Sequence, residues 1–302
     1  MRPSVIHHPA YASPLPVGHR FPMGKFARLM ALLAERDLVR PAQLFAPEPA
    51  PRGWLELAHD AGYVTAILEQ SLDAAGERRI GLPLSPALAL RSRAATAGTV
   101  LTARLALEHG VACNTAGGSH HAFRGFGSGF CVFNDVAVAA RVLLAEGLVQ
   151  RVLVVDLDVH QGDGTAAICR GDGRIATFSM HCRTNFPARK QQSDLDVALE
   201  PGTGDRAYLD ALATVLPPLL DRTRPDLVFY NAGVDPHGED RLGRLSLTDA
   251  GLEARERLVV ESCRGRALPL ACVIGGGYAE SLDLVAQRHA ILHRVILDLP
   301  GR

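Results

Sequence analysis

Lysine is almost missing from this chain: of its 32 basic residues only Lys25 and Lys190 are lysines, and the rest are arginine. The bias reads as GC-rich codon usage rather than as a functional signal. Net charge is missing too, since 32 acidic residues leave a formal charge of zero at pH 7. No global field exists to recruit nucleic acid or an anionic membrane, so a partner must be recognised at a site. Cys113, Cys131, Cys169, Cys182, Cys263 and Cys272 form no C-x-x-C pair and no dense framework, which points to reduced thiols. No stretch approaches the ~18 apolar residues of a membrane span. The start, MRPSVIHHPAYASPLP, has no apolar leader core. A soluble cytoplasmic protein is expected. Aromatics are scarce at 5%, but 47% hydrophobic and 21% charged residues with a mean hydropathy of +0.08 exclude a disordered or fibrous chain.

What is present is an alternation of short β-branched runs with longer helical patterns, the mark of a parallel sheet flanked by helices. The 302 residues exceed the ~100–200 of a typical domain, yet α/β enzymes often reach this length as one unit, and one domain over residues 1–302 is expected. Strands are predicted at Ser4–His7, Val111–Asn114, Val152–Asp156, Ile175–Ser179, Leu227–Asn231 and Leu270–Ile274. Apolar runs such as Val152-Leu153-Val154-Val155 suit strands covered on both faces. Helices are predicted at about Gly24–Glu35, Ala87–Glu108, Asp135–Glu146, Asp205–Leu220, Asp249–Ser262 and Glu280–Val295. Asn134 or Asp135 can cap the third and Ser246 or Thr248 the fifth, while Gly110 and Gly147 follow helices where a left-handed stop is wanted. Pro41–Pro51 is the only linker-like stretch.

Four strand ends run into polar residues: Asn114 into Gly117-Gly118-Ser119-His120-His121, Val155 into Asp156-Leu157-Asp158-Val159-His160, Tyr230 into Asn231-Ala232-Gly233-Val234-Asp235, and Ile274 into Gly275-Gly276-Gly277-Tyr278. Ligands of parallel α/β sheets bind at the carboxyl ends of strands, so one shared site is expected there. Asp156, Asp158 and His160 stand at period 2, which starts their side chains on one face. Neighbouring carboxylates repel unless a cation answers them. Asp158 and His160, with Asp235 as the distant third donor, would give Zn²⁺ an O/N/O set and leave a position open for water. Alone, each side chain reads as a loop carboxylate or turn cap; their shared position makes the metal reading. His120 and His121 beside such a site suit proton transfer, with Asp156 and Asp163 free to orient them. Tyr278, after three glycines, can bring a phenol over the metal to meet a developing oxyanion. His7-His8, on the first strand, reads as structural.

These motifs, with Gly129-Phe130-Cys131-Val132-Phe133-Asn134-Asp135, Gln161-Gly162-Asp163-Gly164 and Gly238-Glu239-Asp240-Arg241-Leu242-Gly243, resemble the histone deacetylase family of the arginase/deacetylase superfamily, in family order over about Val111–Glu280. His19-Arg20-Phe21-Pro22-Met23 and the helix around Arg91–Thr99 are most similar to its class IV branch and bacterial relatives. The resemblance implies a three-layer α/β/α fold with a central, mostly parallel sheet. It implies Zn²⁺, with Fe²⁺ also tolerated by the donors, on Asp158, His160 and Asp235. His121, paired with Asp163, would be the general base and acid, His120, paired with Asp156, its electrostatic support, and Tyr278 the carbonyl polariser. Gly129, Phe130, Phe186 and Leu242 would line an apolar acyl-lysine slot. Asp156 and Ser179 match side-chain ligands of a monovalent cation, usually K⁺. Only Asp60, by position, offers itself as the acidic rim residue of several relatives.

The activity so implied is removal of acetyl or longer acyl groups from lysine ε-amines in proteins or peptides, without direct nucleic-acid contact. An acetylpolyamine amidohydrolase acting on an acylated small amine is the alternative on the same fold. A di-manganese ureohydrolase would need further carboxylates, and Gly233 stands where its Asp-x-Asp would begin. A non-catalytic acyl-lysine binder would not need the full set of catalytic side chains.

Overall fold

The protein is described by a computed structural model covering residues 2–299. Its eight strands are β1 (Ser4–Ile6), β2 (Leu44–Phe45), β3 (Val111–Asn114), β4 (Val152–Asp156), β5 (Ile175–Cys182), β6 (Leu195–Leu199), β7 (Leu227–Asn231) and β8 (Leu270–Val273). They form one sheet in the order β2-β1-β3-β8-β7-β4-β5-β6. Every pairing is parallel. The helices are α1 (Lys25–Glu35), α2 (Arg52–Glu56), α3 (Ala61–Leu68), α4 (Ala74–Ile80), α5 (Pro86–His109), α6 (Asp135–Ala145), α7 (Asp163–Cys169), α8 (Asp205–Thr223), α9 (Asp249–Arg264) and α10 (Leu282–Asp298).

The period-2 alternation of the strands sorts their side chains into two cores. Leu153, Val155, Val228, Tyr230 and Cys272 pack with residues of α8, α9 and α10. Val152, Val154, Leu227, Phe229 and Ala271 pack with residues of α5 and α6. The sheet is thus sandwiched between helical layers, and its central strands are buried on both sides. A third cluster joins Phe26 and Leu29 of α1 and Tyr63 of α3 to Phe21, Phe130 and Tyr278. It builds the wall beside the sheet's carboxyl edge.

Every predicted strand and helix is present, with shifted ends: β1 stops at Ile6, β8 at Val273, β5 runs on to Cys182 and α10 spans Leu282–Asp298. Asn134 caps α6 by accepting from the Ala137 N–H, and Thr248 caps α9 by accepting from that of Gly251. Gly110 and Gly147 take positive φ of 83° and 70°. The Pro41–Pro51 stretch is no linker, because Leu44–Phe45 in it is the edge strand β2. Strands β2 and β6 and helices α2, α3, α4 and α7 are additions to the sequence reading.

Candidate active site

The strands whose ends carry the polar motifs, β3, β8, β7 and β4, are consecutive neighbours in the sheet. Side chains as distant in sequence as His120 and Tyr278 therefore leave the same edge. In the β3 loop, Gly117 and Gly118 adopt φ of 84° and 83°, and a Cβ on Gly118 would lie 2.6 Å from the Gly275 Cα. Only glycine permits that turn together with that approach. Buried Asp135 holds the loop by accepting from the N–H groups of Gly118 (3.1 Å) and Ser119 (2.7 Å) and from the Thr99 hydroxyl (2.6 Å).

The structure brings Asp158, His160 and Asp235 together. Among the described residues they are the one set of three histidine, cysteine or acidic side chains whose donor atoms all lie within 4.8 Å of one another. His160 Nδ1 is 3.0 Å from Asp158 Oδ1 and 3.1 Å from Asp235 Oδ2. Backbone N–H groups orient both carboxylates: Gly276 donates to Asp158 Oδ2 at 2.7 Å and Val159 to Asp235 Oδ1 at 2.9 Å. All three side chains are buried. Burial and the Asp158 charge push Asp235 up to about 7. Burial works to lower His160, but Asp158 and Asp235 outweigh it and raise it to about 10. Two carboxylates converging on one imidazole nitrogen in a dry pocket call for positive charge, and an O/N/O donor set fits Zn²⁺ or Fe²⁺.

Both histidines of the β3 loop are oriented as expected. His120 Nδ1 lies 2.6 Å from Asp156 Oδ2, and His121 Nδ1 lies 2.6 Å from Asp163 Oδ1. Burial lowers the His120 imidazole, yet Asp156 and Asp158 overcome it and hold it at about 9. Burial and the adjacent His120 bring His121 down to about 4, against the pull of Asp163. The charged form is thus favoured at His120 and the neutral form at His121. Asp163 begins α7, and Asn231, at the end of β7, donates to Asp156 Oδ1 at 3.0 Å.

A cavity of about 170 Å³ opens onto these groups, lined by His121, His160, Tyr278, Gly129, Phe130, Phe186 and Leu242 together with Arg20 and Asn185. Gly129 and Phe130 both take left-handed backbone, with φ of 53° and 67°. Strain at a residue with a side chain belongs where a fixed wall is needed. Phe130 is held by its N–H to the Ile80 carbonyl (2.7 Å) and by contact with Phe21. Phe186 is 43% exposed and stands edge-on to His121, 4.8 Å between ring centres. Asn185 ties this wall to the Leu242 carbonyl at 2.8 Å.

Tyr278 lines the cavity beside His160, with ring centres 6.4 Å apart. Burial and the charges of Asp158 and Asp235 raise its phenol well above the ordinary value, so it stays protonated. Asp240 fixes its backbone: one carboxylate oxygen accepts from the Tyr278 N–H at 2.6 Å, the other from Leu242 and Gly243. Asp156 and Ser179 are register partners on β4 and β5, and the Ser179 hydroxyl lies 3.0 Å from His181 Nδ1. Asp60 does not line the cavity; it is exposed and pairs with Arg124 at 2.8 Å. His7 and His8 are structural, bonded to the Thr115 hydroxyl (2.8 Å) and the Ala10 N–H (3.0 Å).

Sequence reasoning assigned no site role to Asp135, Asp240, Lys25 or Arg20. Asn231, Asp135, Asp240 and Arg20 all stood inside quoted motifs, a signal that could have marked them. The buried Lys25 could have been noticed from its rarity alone.

Comparison with known proteins places this geometry among relatives. A family model described as the histone deacetylase domain matches residues 19–292. An uncharacterized protein of Picosynechococcus sp. is 54% identical over 98% of both chains. Histone deacetylase 2 of Arabidopsis thaliana is 28% identical over 87% of this chain and 70% of its own. The acetoin utilization protein AcuC of Staphylococcus aureus is 30% identical over 76% of this chain and 64% of its own length. The crystal structure of the HDA15 HD domain superposes with a TM-score of 0.80 at 23% identity, over 98% of this chain and 88% of that one.

Proposed function

Because the chain belongs to the histone deacetylase family, has its α/β fold and is a deacetylase-type hydrolase, we propose that it removes acyl groups from lysine ε-amines in a metal-dependent reaction. The observation that carries this reading is the meeting of Asp158, His160 and Asp235 with His121 and Tyr278 at one narrow apolar cavity. Those three donors would hold Zn²⁺ or Fe²⁺. When bound, such an ion polarises an acyl carbonyl and acidifies a water molecule.

The remaining chemistry belongs to the chain. Phe130, Phe186 and Leu242 clasp the methylene stem of a lysine whose charge acylation has removed. Tyr278 donates its phenolic proton in a hydrogen bond to the carbonyl oxygen, a bond that strengthens as charge builds there. His121, its Nδ1 tied to Asp163, has Nε2 free to take a proton from water as the water oxygen bonds to the acyl carbon. The same nitrogen returns the proton to the leaving amine as the C–N bond breaks. His120, held positive by Asp156, supplies a fixed charge beside the reaction. Asp156 and Ser179 would hold a monovalent cation, K⁺ by family resemblance, in the same reading, which their register pairing on β4 and β5 supports.

Arg20 favours lysine over a polyamine. It is exposed, lines the cavity and lies 5.0 Å from the centre of the Phe130 ring. Its charge opposes a substrate that carries further cations. A fluorogenic acyl-lysine panel from acetyl to myristoyl, run beside acetylated polyamines, tests the proposal. Acyl-lysine turnover that a hydroxamate chelator abolishes and added Zn²⁺ restores is expected. Turnover of polyamines alone would replace the lysine reading, and no turnover of any metal-loaded sample would overturn it.

A further inference from the structure

We propose that Lys25 is a positioning residue of the metal site, acting on Asp158 through a single peptide unit. The proposal rests on the reading of Asp158 as a metal ligand. Lys25 opens α1 and is 1% exposed. Its Nζ donates to the carbonyl of Gly275 at 2.9 Å, the only acceptor it has among the described residues. The N–H of that same peptide, belonging to Gly276, donates to Asp158 Oδ2 at 2.7 Å. An ammonium, a peptide and a carboxylate thus stand in line. Hydrogen bonds in such a chain polarise one another, so the ammonium makes the Gly276 N–H a stronger donor.

The ammonium lines a small buried cavity of about 30 Å³ shared with His121, Asp158 and Tyr278, and the Gly275 carbonyl is its one hydrogen-bond acceptor among the described residues. Phe21, Phe26 and Tyr278 present their rings to it at 5.7, 5.5 and 5.4 Å. Burying a charge is costly, and a methionine of similar length would fill an aromatic cage without that cost. The peptide it grips has no side chain to steady it. A Cβ on Gly276 would run into Asp235 and Asp158, and Gly275 takes a φ of 59°. The flanking groups are tied down, the Gly275 N–H donating to the Gly117 carbonyl (3.3 Å) and the Gly276 carbonyl accepting from the Val234 N–H (2.9 Å), which leaves the Gly275 carbonyl as the end of this peptide still to be fixed. Lys25 is that fixture, reaching from the N-terminal end of the chain across 250 residues. Outer partners of metal ligands are commonly worth ~10–100-fold in metal affinity.

The test compares the purified full chain with Lys25→Met, measuring the Zn²⁺ dissociation constant by competition with a chelating dye. Metal-free melting temperature and the visible spectrum of the Co²⁺-loaded forms are recorded alongside. We expect Zn²⁺ affinity to fall by about 10- to 100-fold, the Co²⁺ bands to shift, and the metal-free melting temperature to hold or rise. Unchanged affinity with an unchanged Co²⁺ spectrum would overturn the inference. So would a metal-free melting temperature that falls together with affinity, since that marks a structural role. Should Lys25→Met not fold, Lys25→Gln carries the same comparison. A wild-type chain that takes up no Zn²⁺, Fe²⁺ or Co²⁺ would instead remove the metal reading itself.

Discussion

Tyr278 shows what one side chain contributes once its neighbours have set it. Its phenol is kept protonated by burial beside Asp158 and Asp235, and its backbone is clamped by Asp240. Tyr278→Phe deletes the proposed oxyanion donor and leaves Asp158, His160 and Asp235, the proposed metal donors, in place. Loss of such a donor is worth ~10²–10³ in kcat, so turnover should fall by that factor while metal content, read by atomic absorption, stays at the wild-type level. Undiminished turnover would strip the residue of its role. Asp158 and His160 were legible as polar residues at period 2 on a strand end, Asp235 because it too follows an apolar strand, and Tyr278 from the three glycines before it. Asp240 and Asp135 were not, since their work is to accept backbone N–H groups 38 and 17 residues away. Both stood inside quoted motifs, but nothing local in those motifs says which distant N–H a carboxylate will meet.

At the scale of the element, the start of α6 ties the helix to the site. Asn134 is fully buried; its carbonyl oxygen accepts from the Ala137 N–H at 3.1 Å, and its amide donates to the Ala122 carbonyl (3.2 Å) and the Thr165 hydroxyl (3.0 Å). Asn134→Ala removes the cap, worth ~1 kcal/mol, and orphans a buried carbonyl and hydroxyl at a further ~1–3 kcal/mol. Urea unfolding should show a loss of about 2–4 kcal/mol; a change under 0.5 kcal/mol would contradict the network. Long elements bounded by a cap or a glycine stop, such as α5, α6 and α9, were readable from sequence. The short ones were not. Two-residue β2 carries no periodicity, and β6 alternates half-buried with exposed residues at the far edge, where little apolar pattern is required. Helix α7 was hidden because Gly162 and Asp163 read as the tail of a strand-end loop.

For the whole molecule, buried neutral histidines set a response to acid. His59 and His293 are lowered from 6.5 to about 4, chiefly by burial. Between pH 4 and 6.5 the unfolded chain binds protons at these rings that the folded chain refuses. Stability is therefore full above about 6.5 and is lost as pH falls toward 4, at most on the order of 3 kcal/mol for each ring. His293→Phe removes one such site, so its unfolding free energy should fall less steeply than wild type across that window. Parallel pH profiles would show that His293 does not take part. The parallel sheet and its helical layers were legible because strands buried on two faces must be continuously apolar and parallel neighbours need a crossover helix between them. Strand order was not, because it depends on which strands pair across long stretches of chain. That order has a consequence for how the molecule comes into being. β7 and β8 lie between β3 and β4, so a nascent chain that has emerged only through β6 holds two separate half-sheets, β2-β1-β3 and β4-β5-β6. Asp158 and His160 on one half and the histidine pair on the other stay apart until the last strands close the gap, so the chain on the ribosome holds an incomplete site until synthesis is almost over.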